Sequence, residues 1–135
     1  QEEIDVVKRT TVNTSGDIQS VLSAEQILFY QQLIRKMPVA ENVFDYAVKL
    51  ARKTRKDSAE ATEDVKKYLY WGAGPRASQY LIIGAKVNAA LRGKYSPDIE
   101  DVKAIAVPIL RHRISRNYKA EADGISVEKI IESLL

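Results

Sequence analysis

Apolar positions along this chain recur at helical spacing far more often than at the alternation of a strand. Ile4, Val6 and Val7 form a short stripe that predicts a brief helix ending near Thr10. The stretch TVNTSGD, residues 11–17, predicts a turn or loop, because Asn, Ser, Gly and Asp favour turn geometry. Ser23 predicts an N-cap, with Gln26 three residues later completing a capping box. Ile27, Tyr30, Leu33, Ile34 and Met37 follow at helical spacing, and Pro38 ends that helix. A second helix is predicted over 40–55, with Val43, Phe44, Ala47, Val48 and Ala51 as its apolar face. Residues 56–67 are polar and predict a surface loop or weak helix, the segment most prone to disorder. Tyr68–Trp71 suits either a short strand or a buried loop.

Pro75 predicts the start of a long helix reaching about Arg92, with Gly93 at its C-terminal cap. Its stripe is Ala77, Leu81, Ile82, Ala85 and Ala89, and Gly84 with the alanines should let another helix approach closely. Ser96 and Pro97 predict an N-cap and first helical residue, with Asp98, Glu100 and Asp101 in the first turn. Ile99, Val102, Ile105, Ala106, Ile109 and Leu110 face inward, and Pro108 should kink or split this helix. Ser126 caps a final helix with Val127, Ile130, Ile131 and Leu134 on one side. The expected fold is all-α, a small bundle of five or six helices.

Composition narrows the function. The 135 residues suffice for one domain with a hydrophobic core. There is no cysteine, and His112 is the single histidine, so a thiolate or histidine-cluster metal site is excluded. A net charge of +3 permits phosphate contact without the concentrated basic face that nucleic acid asks for, and neither nucleic acid nor a membrane is expected as a partner. No apolar run approaches the roughly 20 residues that span a bilayer, and the start QEEIDVVKRT lacks the apolar centre of a signal peptide. A cytoplasmic protein is expected, and the abrupt start suggests a piece of a longer chain.

A nucleotide-hydrolysing core needs a phosphate cradle of the form G-x-x-x-x-G-K-[ST]. GAGPRAS, residues 72–78, has no lysine, and Gly93-Lys94-Tyr95 closes a helix and has Tyr95 where a hydroxyl of Ser or Thr should bind magnesium. No catalytic residue set is expected within these residues. One feature does point at an anion. Arg76 falls in the first turn of the helix that begins at Pro75, where a cation opposes the macrodipole. Gly72 and Gly74 should let the chain turn sharply into that helix. Free N–H groups at such a helix start and a guanidinium able to make two parallel bonds together suit a phosphate. The plainer reading is a solvated arginine, or one paired with Glu63 or Asp64.

GAGPRAS, the alanine-rich helix after it and YSPDIEDVKAIAVPILRHRI resemble the C-terminal lid of MoxR-family AAA+ ATPases. VLSAEQILFYQQLIRKMPVAENVFDYAVKLARKTR resembles the first two lid helices, and ISVEKIIESLL the closing one. The resemblance implies an AAA+ lid over 21–135, with 1–20 as connector or last helix of a preceding core. It implies that Arg76 is the sensor 2 arginine touching the nucleotide phosphates, with Gly72, Gly74, Pro75 and Ala77 as its supporting motif. The family usually carries serine where this chain has Gly74, so the side-chain cap is missing. ATP and Mg²⁺ would be used by the full-length protein and not bound by this fragment alone. Its partners would be its own AAA+ core, neighbouring subunits of a ring (a hexamer), and clients with von Willebrand factor A domains. The alternative is a free-standing helical module that binds protein or nucleic acid.

Two features have a plain reading beside a sharper one. Arg111, His112, Arg113 and Arg116 suit charge complementation at a helix end, or contact with a neighbouring subunit or nucleotide. Tyr68, Tyr70, Trp71 and Tyr80 suit packing, or a base-stacking surface.

Overall fold

The computed structural model describes residues 2–12 and 19–135, so most of the loop expected at 11–17 lies outside the described residues. Eight helices and one two-stranded ribbon are present among them. The helices are α1 (Glu2–Thr11), α2 (Ala24–Lys36), α3 (Glu41–Lys53), α4 (Glu63–Tyr68), α5 (Pro75–Leu91), α6 (Ile99–Leu110), α7 (Tyr118–Ala122) and α8 (Val127–Glu132). Strands β1 (Leu69–Trp71) and β2 (Ser115–Arg116) pair antiparallel.

α5 is the spine, packing against α2, α3 and α6. All five residues of its predicted stripe are buried. Gly84 sits where α6 crosses: a Cβ there would lie 2.7 Å from Ile109 Cδ1 and 3.3 Å from Ile105 Cγ1. Any side chain at this crossing would have to displace the end of Ile109 and press on Ile105. Gly93 closes α5 with φ +73°, a left-handed conformation that glycine adopts without strain.

α6 starts two residues later than expected. Its N-cap is Asp98, whose side chain accepts from Asp101 N at 3.0 Å while Asp101 accepts from Asp98 N at 3.0 Å. A carboxylate at each end makes this capping box stronger than a Ser96 cap, and Pro97 is buried just ahead of it. α6 also runs unbroken through Pro108. The proline forfeits the bond its own N–H would make to Ala104 O, and the helix continues to Arg111 N, which donates to Val107 O at 3.0 Å.

Asp101 is fully buried and ties α6 to the end of α5. It accepts from Asn88 Nδ2 at 2.8 Å, Arg92 Nη1 at 3.3 Å and Lys94 Nζ at 2.9 Å. Burial pushes its carboxyl pKa up. The bonds from Asp98 N, Lys94 and Asn88 outweigh that and hold it at about 2.

Three local expectations change. In α3 the buried face is Val43, Ala47, Leu50 and Ala51, while Phe44 and Val48 stay exposed. The face is rotated toward α5, a choice that spacing alone does not make. Residues 56–67 are not a featureless loop. Thr62 caps α4, the helix alternative of the two readings, and Val65 and Tyr68 are both buried and anchor it in the core. α7 was not anticipated. Asn117 caps it, its Ala120 is buried, and Gly124 with φ +66° follows its end.

α2 forms as expected, with both bonds of the Ser23–Gln26 capping box present. Its apolar face, however, is not buried. Ile27, Leu28, Phe29, Tyr30 and Leu33 all remain exposed among the described residues. α1 likewise buries nothing.

Candidate functional site

The site begins at the end of α3. Thr54 is fully buried; its Oγ1 donates to Ala51 O at 2.7 Å and accepts from Ala73 N at 2.8 Å. Arg55 Nε donates to Ala73 O at 2.8 Å. Both polar groups of the Ala73 backbone are thus pinned to α3, across nearly twenty residues of sequence. Gly72 lies so close that a Cβ would clash with Thr54 O and lie 2.8 Å from Arg55 Cα. Its backbone angle is not left-handed. Gly72 is therefore required for close approach to another backbone, not for the sharp turn expected of it.

Gly74 is the N-cap of α5, with φ −76° and ψ 178° and no side-chain cap bond. These angles suit any residue, and a Cβ at Gly74 would meet nothing within 4 Å. The sharp-turn role fails here as well. Pro75 takes the first helical position, Ala77 N donates to Gly74 O at 2.9 Å, and the Ala77 side chain is buried. Arg76, between them, points outward and is exposed. It makes no ion pair or side-chain hydrogen bond with any described residue. Of the two acids considered as its partner, Glu63 binds Lys66 at 2.8 Å instead, and Asp64 forms no ion pair with it.

Arg113 reaches the same helix. Its guanidinium lies 4.7 Å from the ring centroid of Tyr80, one turn beyond Arg76 on α5. Its Nη1 also donates to Ile109 O at 2.6 Å and touches His112 Nε2. Arg116 Nη1 donates to Ile125 O at 3.1 Å. Arg113 thus meets a carbonyl in the last turn of α6, as charge complementation at a helix end expects, whereas Arg116 meets a loop carbonyl. The aromatic residues divide. Tyr68 packs inside, whereas Tyr70, Trp71 and Tyr80 are exposed, so core packing does not account for those three. Arg55, Lys56, Asp57, Tyr70, Trp71 and residues 72–75 line a cleft of about 350 Å³.

Residues 61–134 match the family model of the AAA lid domain. The chain belongs to that family. Across all 135 residues the chain is 33% identical to the chaperone MoxR1 of Mycobacterium tuberculosis, spanning 36% of that protein. It is 24% identical to the uncharacterised protein YeaC of Bacillus subtilis, spanning 39% of it. A solved structure of a candidate ATPase from Cytophaga hutchinsonii superposes with a TM-score of 0.80 at 33% identity, over 98% of this chain and 40% of that one. The chain spans well under half the length of these relatives. Among its described residues no helix is long and apolar enough to cross a membrane.

Sequence reasoning identified the Gly-x-Gly-Pro-Arg run but missed Thr54 and Arg55. Nothing local marks them, because their partner is Ala73 and the contact exists only after α3 and α5 have packed. Thr54→Val keeps the shape of the side chain but leaves Ala73 N without an acceptor. The expected cost is about 1–3 kcal/mol, seen as a lower urea midpoint at unchanged m-value. An unaltered midpoint would show that Thr54 does not hold this loop.

Proposed function

We propose that this lid serves a MoxR-type AAA+ ATPase and that Arg76 is its sensor 2 arginine, contacting the phosphates of bound ATP. The observation that carries this reading is an exposed guanidinium, without a partner among the described residues, in the first turn of a 17-residue helix whose approach is clamped to the end of α3. A cation there gains nothing from the helix dipole, so an anion supplied from outside is its natural counterpart. Gly72, Gly74, Pro75 and Ala77 bring the backbone to that position. Because Ala73 is bonded to Thr54 and Arg55, a pull on Arg76 would pass to α3 and α5 together. Loss of the terminal phosphate would then release the lid as a rigid body.

In this reading residues 1–20 are the connector or last helix of the core and 21–135 the lid. The exposed apolar faces of α1 and α2 support it, since such surface is normally covered by a partner or another domain. The phosphate loop and magnesium-binding acids would belong to that core, with ATP and Mg²⁺ held between core and lid. The whole protein would work in the cytoplasm as a ring, coupling hydrolysis to remodelling of clients such as proteins with von Willebrand factor A domains.

The test uses the full-length ATPase. Arg76→Ala is expected to lower ATP turnover about 100-fold, the scale for removing one preorganised charge-stabilising donor, with circular dichroism and melting unchanged. Arg76→Lys should recover part of this loss, since lysine keeps the charge without the two-pronged geometry. Unchanged turnover in Arg76→Ala would remove this residue from the mechanism.

A further inference from the structure

We infer that the cleft between the end of α6 and the start of α8 is a docking surface for an acidic protein segment. From Val102 to Ala120 the chain carries no Asp or Glu, while the same stretch holds Lys103, Arg111, His112, Arg113, Arg116 and Lys119. Two of these cations have local partners. Lys103 pairs with Glu100 at 2.8 Å, and Arg113 is taken up by Ile109 O and the Tyr80 ring. Arg111, His112 and Arg116 instead line one cleft of about 520 Å³, together with Ser126, Val127 and Glu128. All three are exposed, and none forms an ion pair with any described residue.

Charge complementation at the end of α6 accounts for Arg111, the C-cap of that helix. It does not account for Arg116, which lies beyond the helix in β2. Pairing with β1 places Arg116 opposite Leu69, and its Nη1 donates to Ile125 O at 3.1 Å. One bond thus holds the guanidinium at the cleft and leaves most of its five N–H donors for an acceptor from outside. Two guanidiniums match carboxylates, each of which accepts two parallel N–H bonds. Single-stranded nucleic acid asks for aromatic rings beside its cations, and no Phe, Tyr or Trp lines this cleft. Val127, half-buried in the lining, offers instead an apolar contact that a peptide side chain can use. Glu128 is the one acid of the lining and opposes the ligand, but the two arginines outweigh it.

The experiment follows the fluorescence anisotropy of a dye-labelled oligoglutamate peptide titrated with the full-length protein at low ionic strength. Arg111→Glu combined with Arg116→Glu is expected to weaken binding about tenfold, the scale for losing two exposed ion pairs. Arg111→Ala and Arg116→Ala should each weaken it about threefold, which keeps the test intact if the doubly reversed variant does not fold. Glu128→Gln should strengthen binding, because it removes the opposing charge. Lys36→Glu combined with Lys49→Glu makes the same change in net charge on α2 and α3 and should leave the affinity nearly unchanged. Equal weakening in that control, or undiminished binding in the arginine variants, would overturn the proposal. So would a single-stranded oligothymidylate that displaces the peptide and binds more tightly through the same arginines, since the surface would then belong to nucleic acid.

Discussion

Asp101→Asn is expected to destabilise the lid by about 3 kcal/mol, at the lower end of the range for breaking a buried charge pair. The carboxylate is wholly buried and gathers Asn88, Arg92, Lys94 and the Asp98 backbone. Asparagine keeps the size but turns one acceptor oxygen into a donor facing other donors. The loss stays at the lower end because the Arg92 side chain is 55% exposed and that of Lys94 29%, so water can reach both cations.

The same residue sets an acid limit. Its carboxyl has an ordinary value of 3.8 and lies at about 2 in the fold. A depressed carboxyl contributes stability that is complete above the unfolded value and is lost as pH falls through the folded one. Roughly 2–3 kcal/mol should therefore disappear between about pH 4 and pH 2. Urea unfolding across that window should show a shallower pH dependence in Asp101→Asn than in the parent. Parallel curves would mean that Asp101 is not the titrating group.

Gly84→Leu should cost a similar amount, about 3 kcal/mol, by overpacking. A Cβ alone lies 2.7 Å from Ile109 Cδ1, and the remaining three carbons of leucine have nowhere to go unless α6 moves away from α5. That separation would loosen the alanine contacts along the whole crossing. A double-mutant cycle isolates the cause. Truncating Ile109 to alanine is destabilising by itself, yet combined with Gly84→Leu it should restore part of the loss, because it vacates the space. Strict additivity would show that the Gly84–Ile109 approach is not the source of the effect.

The legible parts of this protein were those whose signal is local. The Ser23–Gln26 box, the α5 stripe from Ala77 to Ala89, the Gly93 cap and the small residue at Gly84 each follow from a few neighbouring residues and the helical repeat. Where two local signals competed, the reading slipped. Ser96-Pro97 and Asp98 both offered a start for α6, and the winner was the residue whose carboxylate pairs with a buried Asp101 that also serves α5.

The candidate site divides along the same line. The run from Gly72 to Ala77 stands out in the sequence because glycine, proline and arginine together at a helix start are unusual. What those residues do was not visible there. The demand on Gly72 comes from the backbone of Thr54 and Arg55, and the outward turn of Trp71 comes from a register break against Ser115.

By itself, then, the sequence determined the longer helices, the caps at Ser23, Gly93 and Ser126 and the inward faces of α5 and α8, since backbone bonding and side-chain periodicity act within a few residues. Only the tertiary structure decided which face of α3 is buried, what holds the approach to Arg76, and that α2 and the aromatic pair at Tyr70–Trp71 stay uncovered. Those outcomes depend on contacts between residues far apart along the chain, and no local pattern encodes which distant surface will arrive.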